Sequence, residues 1–297
     1  MSNLDDFAKE QNERKQRISK DNRSIDNSIL KIPKDTEKGF PLLHVNEQYS
    51  NFEDLIVTKE VKERLEHIII ENRSTEKLFS YGLKPKNKIL FCGPPGTGKT
   101  LSAKIISSTM GYPFVYVLFD SILSSYLGET ATNLRKIFDF IETGKFVVLF
   151  DEFDIVGKKR DDPHEHGEIK RVVNNFMQML DNYEGSSIIL AATNHQHLLD
   201  KAVWRRFDDI IYFDLPDNSR RKQLFRKYLR VLRRENNFTL DELARRTRGY
   251  SAADITQICE EALKKSVINN DKTVSRDHIM WAISEQKRRK KTISNEN

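Results

Sequence analysis

One stretch of eight residues limits what this chain can fold into more than any other feature. Gly93-Pro94-Pro95-Gly96-Thr97-Gly98-Lys99-Thr100 satisfies G-x-x-x-x-G-K-[ST], and it stands between an apolar run, Lys88 to Cys92, and a helical run, Leu101 to Thr109. A strand that ends in such a turn and re-enters as a helix points several backbone N–H groups at one anion, and the helix N-terminus adds positive potential there. The chemistry this suits is nucleotide phosphate binding. Lys99 is placed to reach the outer phosphates and Thr100 to offer a hydroxyl to Mg²⁺. Leu101, which opens the helix, joins Gly93 to Thr100 as a nucleotide-binding candidate.

The rest of the middle of the chain agrees with that unit. Short runs rich in β-branched and aromatic residues recur at Lys88 to Cys92, Phe114 to Phe119, Phe146 to Phe150, Ile188 to Ala192 and Ile210 to Phe213. Each is too short and apolar for an exposed edge, so all five are expected at the centre of a parallel sheet. Between them Leu134, Ile137, Phe138 and Ile141 recur at helical spacing, as do Ile169, Val172, Val173, Phe176 and Leu180. The fold class is therefore α/β, a P-loop NTPase-type parallel sheet flanked by helices. The run Phe146-Val147-Val148-Leu149-Phe150 ends in Asp151-Glu152, which puts two carboxylates at the carboxyl edge of the sheet, where ligands bind. Asp151 can orient Mg²⁺ through its water shell, and Glu152 can polarise the water that attacks a γ-phosphate. Asp154 is a helix-start or solvated acid with no catalytic role.

Residues 1–48 read as a polar, partly helical arm and linker, and 49–216 as the α/β ATPase subdomain. After Pro216 the strand signals vanish. Helices are expected at Ser219 to Leu232, Leu240 to Arg246, Ser251 to Ile268 and Ser275 to Lys287, with Ser251 and Ser275 as N-caps. They make 217–285 a small all-helical lid and leave 286–297 as a basic polar tail.

Composition narrows the function classes. The formal charge of +6 arises from 50 basic and 44 acidic residues that are largely interspersed, which argues against a dedicated nucleic-acid module. Two cysteines offer neither a disulfide framework nor metal-ligand spacing, which fits a reducing cytoplasm. No segment reaches about 18 consecutive apolar residues, so no membrane span is expected. His164 and His166 invite a metal reading, yet H-E-x-x-H fails because residue 168 is Glu.

With these motifs in order, the sequence resembles the AAA family of ATPases over roughly Tyr49 to Ser284. The resemblance rests on Gly93 to Thr100, on Asp151-Glu152, on Ala192-Thr193-Asn194 and on Trp204-Arg205-Arg206-Phe207-Asp208. It implies that Asn194 is the sensor that bonds the attacking water or the γ-phosphate. It also implies that Arg205 and Arg206 are fingers serving the neighbouring subunit's site, within a homo-oligomeric ring, by family expectation a hexamer. Ser124 to Thr130 resembles the first pore loop, with Tyr126 and Leu127 gripping a threaded protein substrate, and Asp161 to Glu168 falls at the second, before a helix expected to start near Ile169. Gly249 to Asp254 resembles the second sensor helix, with Ala252 where the family usually has Gly, and Ile56 falls where the adenine wall is expected. With Phe150-Asp151-Glu152-Phe153-Asp154 at its second motif, the chain also resembles single-module bacterial ATPases paired with a subtilisin-type serine protease, which implies such a protease as a partner.

Three functions compete: an ATP- and Mg²⁺-dependent remodeller of protein substrates, a nucleotide-gated switch that regulates a partner effector or protease, and a nucleic-acid motor using Lys287-Arg288-Arg289-Lys290-Lys291. The remodeller leads. A tail of that kind is more often merely solvated, which leaves nucleic acid the weakest partner.

Overall fold

The computed structural model describes residues 31–35, 39–117, 122, 129–153, 163–199, 201–235 and 237–295. The chain divides into two compact units, Ile25–Pro94 with Lys99–Phe213, and Asp214–Asn297 with the loop tip Pro95–Gly98.

The first unit is built on a six-stranded sheet: β1 (Leu43–Asn46), β2 (Lys88–Cys92), β3 (Phe114–Val117), β4 (Val147–Phe150), β5 (Ile188–Thr193) and β6 (Asp209–Tyr212), in the order β1-β3-β4-β5-β2-β6. The five expected strands all form and pair in parallel. Two expectations need correction. The stretch read as linker supplies β1, which pairs antiparallel with β3 at one margin. β6 is the other margin, with half-buried and exposed positions, because only Ile211 of its four residues is fully inside. An edge strand needs only one apolar face, and β6 has one.

Period-two alternation sorts the strand residues onto two cores. Leu90, Val148 and Phe150 face one layer, where α4 (Glu129–Glu142) and α5 (Pro163–Asn182) bring Ile137, Phe138 and Phe176. Ile89, Phe91 and Leu149 face the other, covered by α1 (Lys59–Arg73), α2 (Thr75–Ser80) nearby, and α3 (Lys99–Met110), with Leu65, Ile68 and Ile106 at its centre. Each such side chain, shut away from water, contributes about 1.5–3 kcal/mol before the entropy of ordering it is counted. α1 starts where it does because Thr58 accepts the Val61 N–H at 3.2 Å. α5 begins at Pro163, not near Ile169, so the stretch assigned to a second pore loop is helical from Pro163 onward. Proline has no N–H to lose at a first helical position, which suits it to start a helix. A short helix, α6 (Lys201–Trp204), leads into β6.

The second unit holds α7 (Asn218–Tyr228), β7 (Arg233–Arg234), α8 (Leu240–Arg246), α9 (Ala252–Ile268), β8 (Thr273–Val274) and α10 (Arg276–Asn295). It is not strand-free as expected, since β7 and β8 form a two-residue parallel pair. Pairs this short carry no readable period. Ser251 caps α9 as expected, in a capping box with Asp254. The stretch 286–297 is not a plain tail: α10 continues through Asn295, and Gln286 is buried.

Candidate functional site

The order of the sheet decides the site. β5 lies between β2 and β4, with Cys92 level with Thr193 and Phe150 level with Ala191. The glycine-rich turn after β2, Asn194 after β5 and Asp151 after β4 therefore emerge side by side at the carboxyl edge. β2 and β4 are two strand spacings apart, about 10 Å, and the first turn of α3 closes that gap. Thr100 Oγ1 donates to Asp151 Oδ2 at 2.9 Å. Lys99, only 7% exposed, donates from Nζ to Gly93 O at 2.7 Å, Pro94 O at 2.9 Å and Asn194 Oδ1 at 2.8 Å. Four of the residues singled out in the sequence are thus joined by two hydrogen bonds across three strands.

Two backbone positions, one after β2 and one after β4, shape the site. Gly93 has φ +134°, and a Cβ there would lie 2.2 Å from the Phe213 carbonyl oxygen, so the chain can pass β6 this closely only without a side chain. Glu152 has φ +54°, a left-handed conformation uncommon outside glycine. Its N–H donates to Asp151 Oδ1 at 2.9 Å, and its side chain is exposed. The left-handed turn ends the alternation of β4 and leaves the Glu152 carboxylate accessible while Phe153 behind it is fully buried. Cys92, next to Gly93, is a buried thiol pushed up to about 12 by burial, against the opposing pull of the Lys99 charge. It is an inert core residue.

The Arg-Arg-Phe-Asp motif is anchored by its last two residues. Phe207 is buried edge-on to Phe153, ring centres 6.2 Å apart. Asp208 accepts the N–H groups of Asn87 and Lys88 at 3.0 and 2.9 Å, which ties the motif to the start of the β2 strand. The two arginines differ. Arg206 donates from Nε to Asp181 of α5 at 2.9 Å and from Nη1 to the Ala202 carbonyl at 2.8 Å. Arg205 is exposed, with no hydrogen-bond or ion-pair partner among the described residues. Neither the Asp181 partnership nor the anchoring by Asp208 was foreseen from the sequence; Asp208 lay in a motif already marked, whereas nothing local distinguishes Asp181 from any solvated helix acid.

Ile56 is half-buried in the extended segment before α1, beside the buried Leu55. Tyr126 and Leu127 lie outside the described residues, as do Asp154, Asp161 and Asp162. Among the described residues no group of three or more His, Cys, Asp or Glu is placed to hold a metal, and no helix is long and apolar enough to cross a membrane.

A parallel sheet that delivers a glycine-rich turn, a lysine, a hydroxyl and a carboxylate to one edge defines a P-loop nucleoside triphosphatase, followed here by a helical lid. The comparisons agree. The family model described as "ATPase family associated with various cellular activities (AAA)" matches residues 89–215, and an AAA+ lid domain model matches 237–281. The chain is 38% identical over 242 residues to "Uncharacterized AAA family ATPase y4kL" of Sinorhizobium fredii, covering 81% of this chain and 72% of that protein. This protein belongs to the AAA family of ATPases: it binds nucleotide and is an ATPase. It is also 33% identical to the ATP-dependent zinc metalloprotease FtsH of Parabacteroides distasonis, over 80% of this chain and 36% of that protein. Identity to the proteasome-activating nucleotidase of Sulfurisphaera tokodaii is 32%, over 84% of this chain and 65% of that protein. The chain thus spans just under two thirds of the nucleotidase and about a third of FtsH.

Proposed function

We propose that the chain hydrolyses ATP with Mg²⁺ at sites shared between neighbouring subunits of a homo-oligomeric ring, a hexamer by family expectation, and uses the cycle to remodel a protein substrate. The observation that carries this is the asymmetry of the site. Lys99, Thr100, Asp151 and Asn194 converge, while the exposed Arg205 has no partner of its own among the described residues. A cation built into a catalytic motif and left unpaired fits a role in trans.

In this reading Gly93 to Gly98 and the start of α3 bind the phosphates through backbone N–H groups, with Pro94, Pro95, Thr97 and Leu101 shaping the turn and Ile56 facing the base. Lys99 moves from its carbonyl and Asn194 partners to the outer phosphates. The Thr100 hydroxyl and the Asp151 carboxylate, 2.9 Å apart, are an all-oxygen pair of the kind Mg²⁺ prefers, and these two residues would hold it. Bound Mg²⁺ supplies neutralisation of the charge on the phosphate oxygens. Glu152 accepts a proton from the attacking water, Asn194 orients that water, and the arginine from the next subunit stabilises charge on the γ-phosphoryl group. Tyr126 and Leu127 would grip the protein in the pore. Relatives named as a metalloprotease and as a proteasome-activating nucleotidase support a substrate of protein nature, and a serine protease of subtilisin type is one partner to test.

The test is the Mg-dependent ATPase rate per subunit against protein concentration, together with Glu152→Gln. Rates that climb with concentration, and a Glu152→Gln protein that binds ATP but does not turn it over, are the expected results. A rate per subunit that stays flat as the protein is diluted to monomers would refute the shared site.

A further inference from the structure

The residues first read as a solvated basic tail contain a clamp. Asp254, the third residue of α9, accepts hydrogen bonds from the Ser251 N–H at 2.8 Å, from Gln286 Nε2 at 2.7 Å and from Lys290 Nζ at 2.7 Å. Gln286 and Lys290 are one turn apart on α10, so both face the N-terminus of α9. Gln286 is 7% exposed, Asp254 16% and Lys290 39%, and the Lys290 ammonium lies 4.5 Å from the centre of the Tyr250 ring. Burial on its own would raise the Asp254 carboxyl, but the bonds from Lys290, the Ser251 N–H and Gln286 outweigh it and hold the group below the ordinary carboxylate range. The carboxylate is charged at neutral pH.

The other side of the same α9 N-terminus holds the tip of the phosphate turn, within the same compact unit. Ala253 N–H donates to Gly96 O at 3.1 Å. A Cβ on Gly96 would meet Ser251 Oγ at 2.7 Å and the Ala253 Cβ at 2.9 Å, so backbone and cap are in close packing. Gly96 and Gly98 both have positive φ, at +73° and +107°, and it is this conformation that turns their N–H groups toward a phosphate.

We propose that Lys290 and Gln286 are positioning residues for nucleotide binding, which act through the Asp254–Ser251 cap to hold Gly96 to Gly98 in their phosphate-binding conformation. The chain Lys290, Asp254, Ser251, Gly96 is short and continuous, and a capping box locked by two side chains from α10 cannot shift without dragging the turn. Whatever moves the C-terminal helix therefore changes nucleotide affinity, and bound nucleotide in turn stabilises the docked helix by the same factor. Lys290, Gln286, Asp254 and Ser251 do not touch the nucleotide in this account; their effect is on the shape of the turn.

The proposal rests on the phosphate-site reading above, and the test separates the two. Equilibrium binding and release of fluorescent ADP are measured on full-length wild type and on Lys290→Met, Lys290→Arg, Asp254→Asn and the Lys290→Met/Asp254→Asn double variant, with melting temperature recorded for each. Lys290→Met is expected to weaken ADP binding about fivefold or more, within the usual range of such couplings, mainly through faster release. Lys290→Arg, which keeps the charge and the donor, restores wild-type affinity. In the Asp254→Asn background the Lys290→Met change adds little, because the partner charge has gone. A Lys290→Met protein with a lowered melting temperature but wild-type affinity and release rate would overturn the clamp, leaving only a structural ion pair. Should that variant not fold, Lys290→Gln replaces it, read by hydrogen exchange of the Gly93 to Thr100 segment: faster exchange supports the clamp and unchanged exchange overturns it. Wild type that fails to bind ADP would instead remove the phosphate-site reading, and the clamp with it.

Discussion

Arg205→Ala and Arg206→Ala remove two neighbouring guanidinium groups whose surroundings differ, and the energies at stake differ accordingly. Arg205 has no ion-pair partner among the described residues, so its loss should alter folding stability by no more than about 0.5 kcal/mol. Arg206 and Asp181 have side chains 33% and 45% exposed, which places the pair in the class worth about 0.2–1 kcal/mol, and the bond to the Ala202 carbonyl adds to it. Against these small terms stands the catalytic effect of an arginine finger, about 10³ to 10⁵ in rate, or about 4–7 kcal/mol of transition-state stabilisation. Arg205→Ala should therefore keep its melting temperature and nucleotide affinity and lose nearly all turnover. When it is mixed into wild type at fixed total protein, the rate should fall in proportion to the arginine-deficient interfaces. Arg206→Ala should melt lower as well as turn over more slowly. Asp181→Asn completes the argument: if Arg206 must leave Asp181 to serve the next site, breaking the pair removes up to about 1 kcal/mol of restraint, a gain of up to about fivefold in rate. A steady-state phosphate-release assay over a titration of mixed subunits reads all of this. Wild-type turnover by Arg205→Ala, or a mixing curve showing each subunit working alone, would refute the reasoning.

The left-handed Glu152 offers a second check: Glu152→Gly should keep or raise stability by up to about 1 kcal/mol in thermal melts, since glycine relieves the strain at φ +54° at some entropic cost, while hydrolysis disappears. A clear loss of stability would mean that the conformation is held by contacts of the side chain. Gly93→Ala must displace the Phe213 carbonyl, 2.2 Å from the new methyl group, so it should melt well below wild type and fail to retain ATP on filter binding; near-normal affinity would contradict the close approach. Asp254 is a carboxylate held below its ordinary range, so its stabilisation is fully present above the unfolded-state value near 4 and is lost as pH falls through the lower folded value. The melting-temperature gap between wild type and Asp254→Asn should accordingly be wide at pH 7 and close only as pH falls below the ordinary carboxylate range; a gap independent of pH would show that charge is not what Asp254 contributes.

What could be read along the chain was whatever short-range physics sets. The β2–turn–α3 unit follows from an apolar run, three glycines that tolerate positive φ and a helix former after them, all within about twenty residues. The same holds for the buried β4 strand ending in Asp151-Glu152 and for the Ser251 cap, since periodicity and capping act over one or two turns. Strand order was beyond that reach. That β5 intervenes between β2 and β4, and so brings Asn194 within 2.8 Å of Lys99, depends on which strands pair, and short apolar runs carry no label for their neighbours. β1 hid in a polar segment, because an edge strand with two inward residues looks like linker. Charges were the least legible of all. Asp181 holds Arg206 from 25 residues away, and Lys290 reaches Asp254 across 36, and in the sequence each is one more charged residue on a helix face. Composition counts charges, but only the folded chain decides which are paired, which are left facing outward, and which a glycine turn depends on. An ion pair needs its partners within about 4 Å, and distance in space is the one quantity that spacing along the chain does not contain.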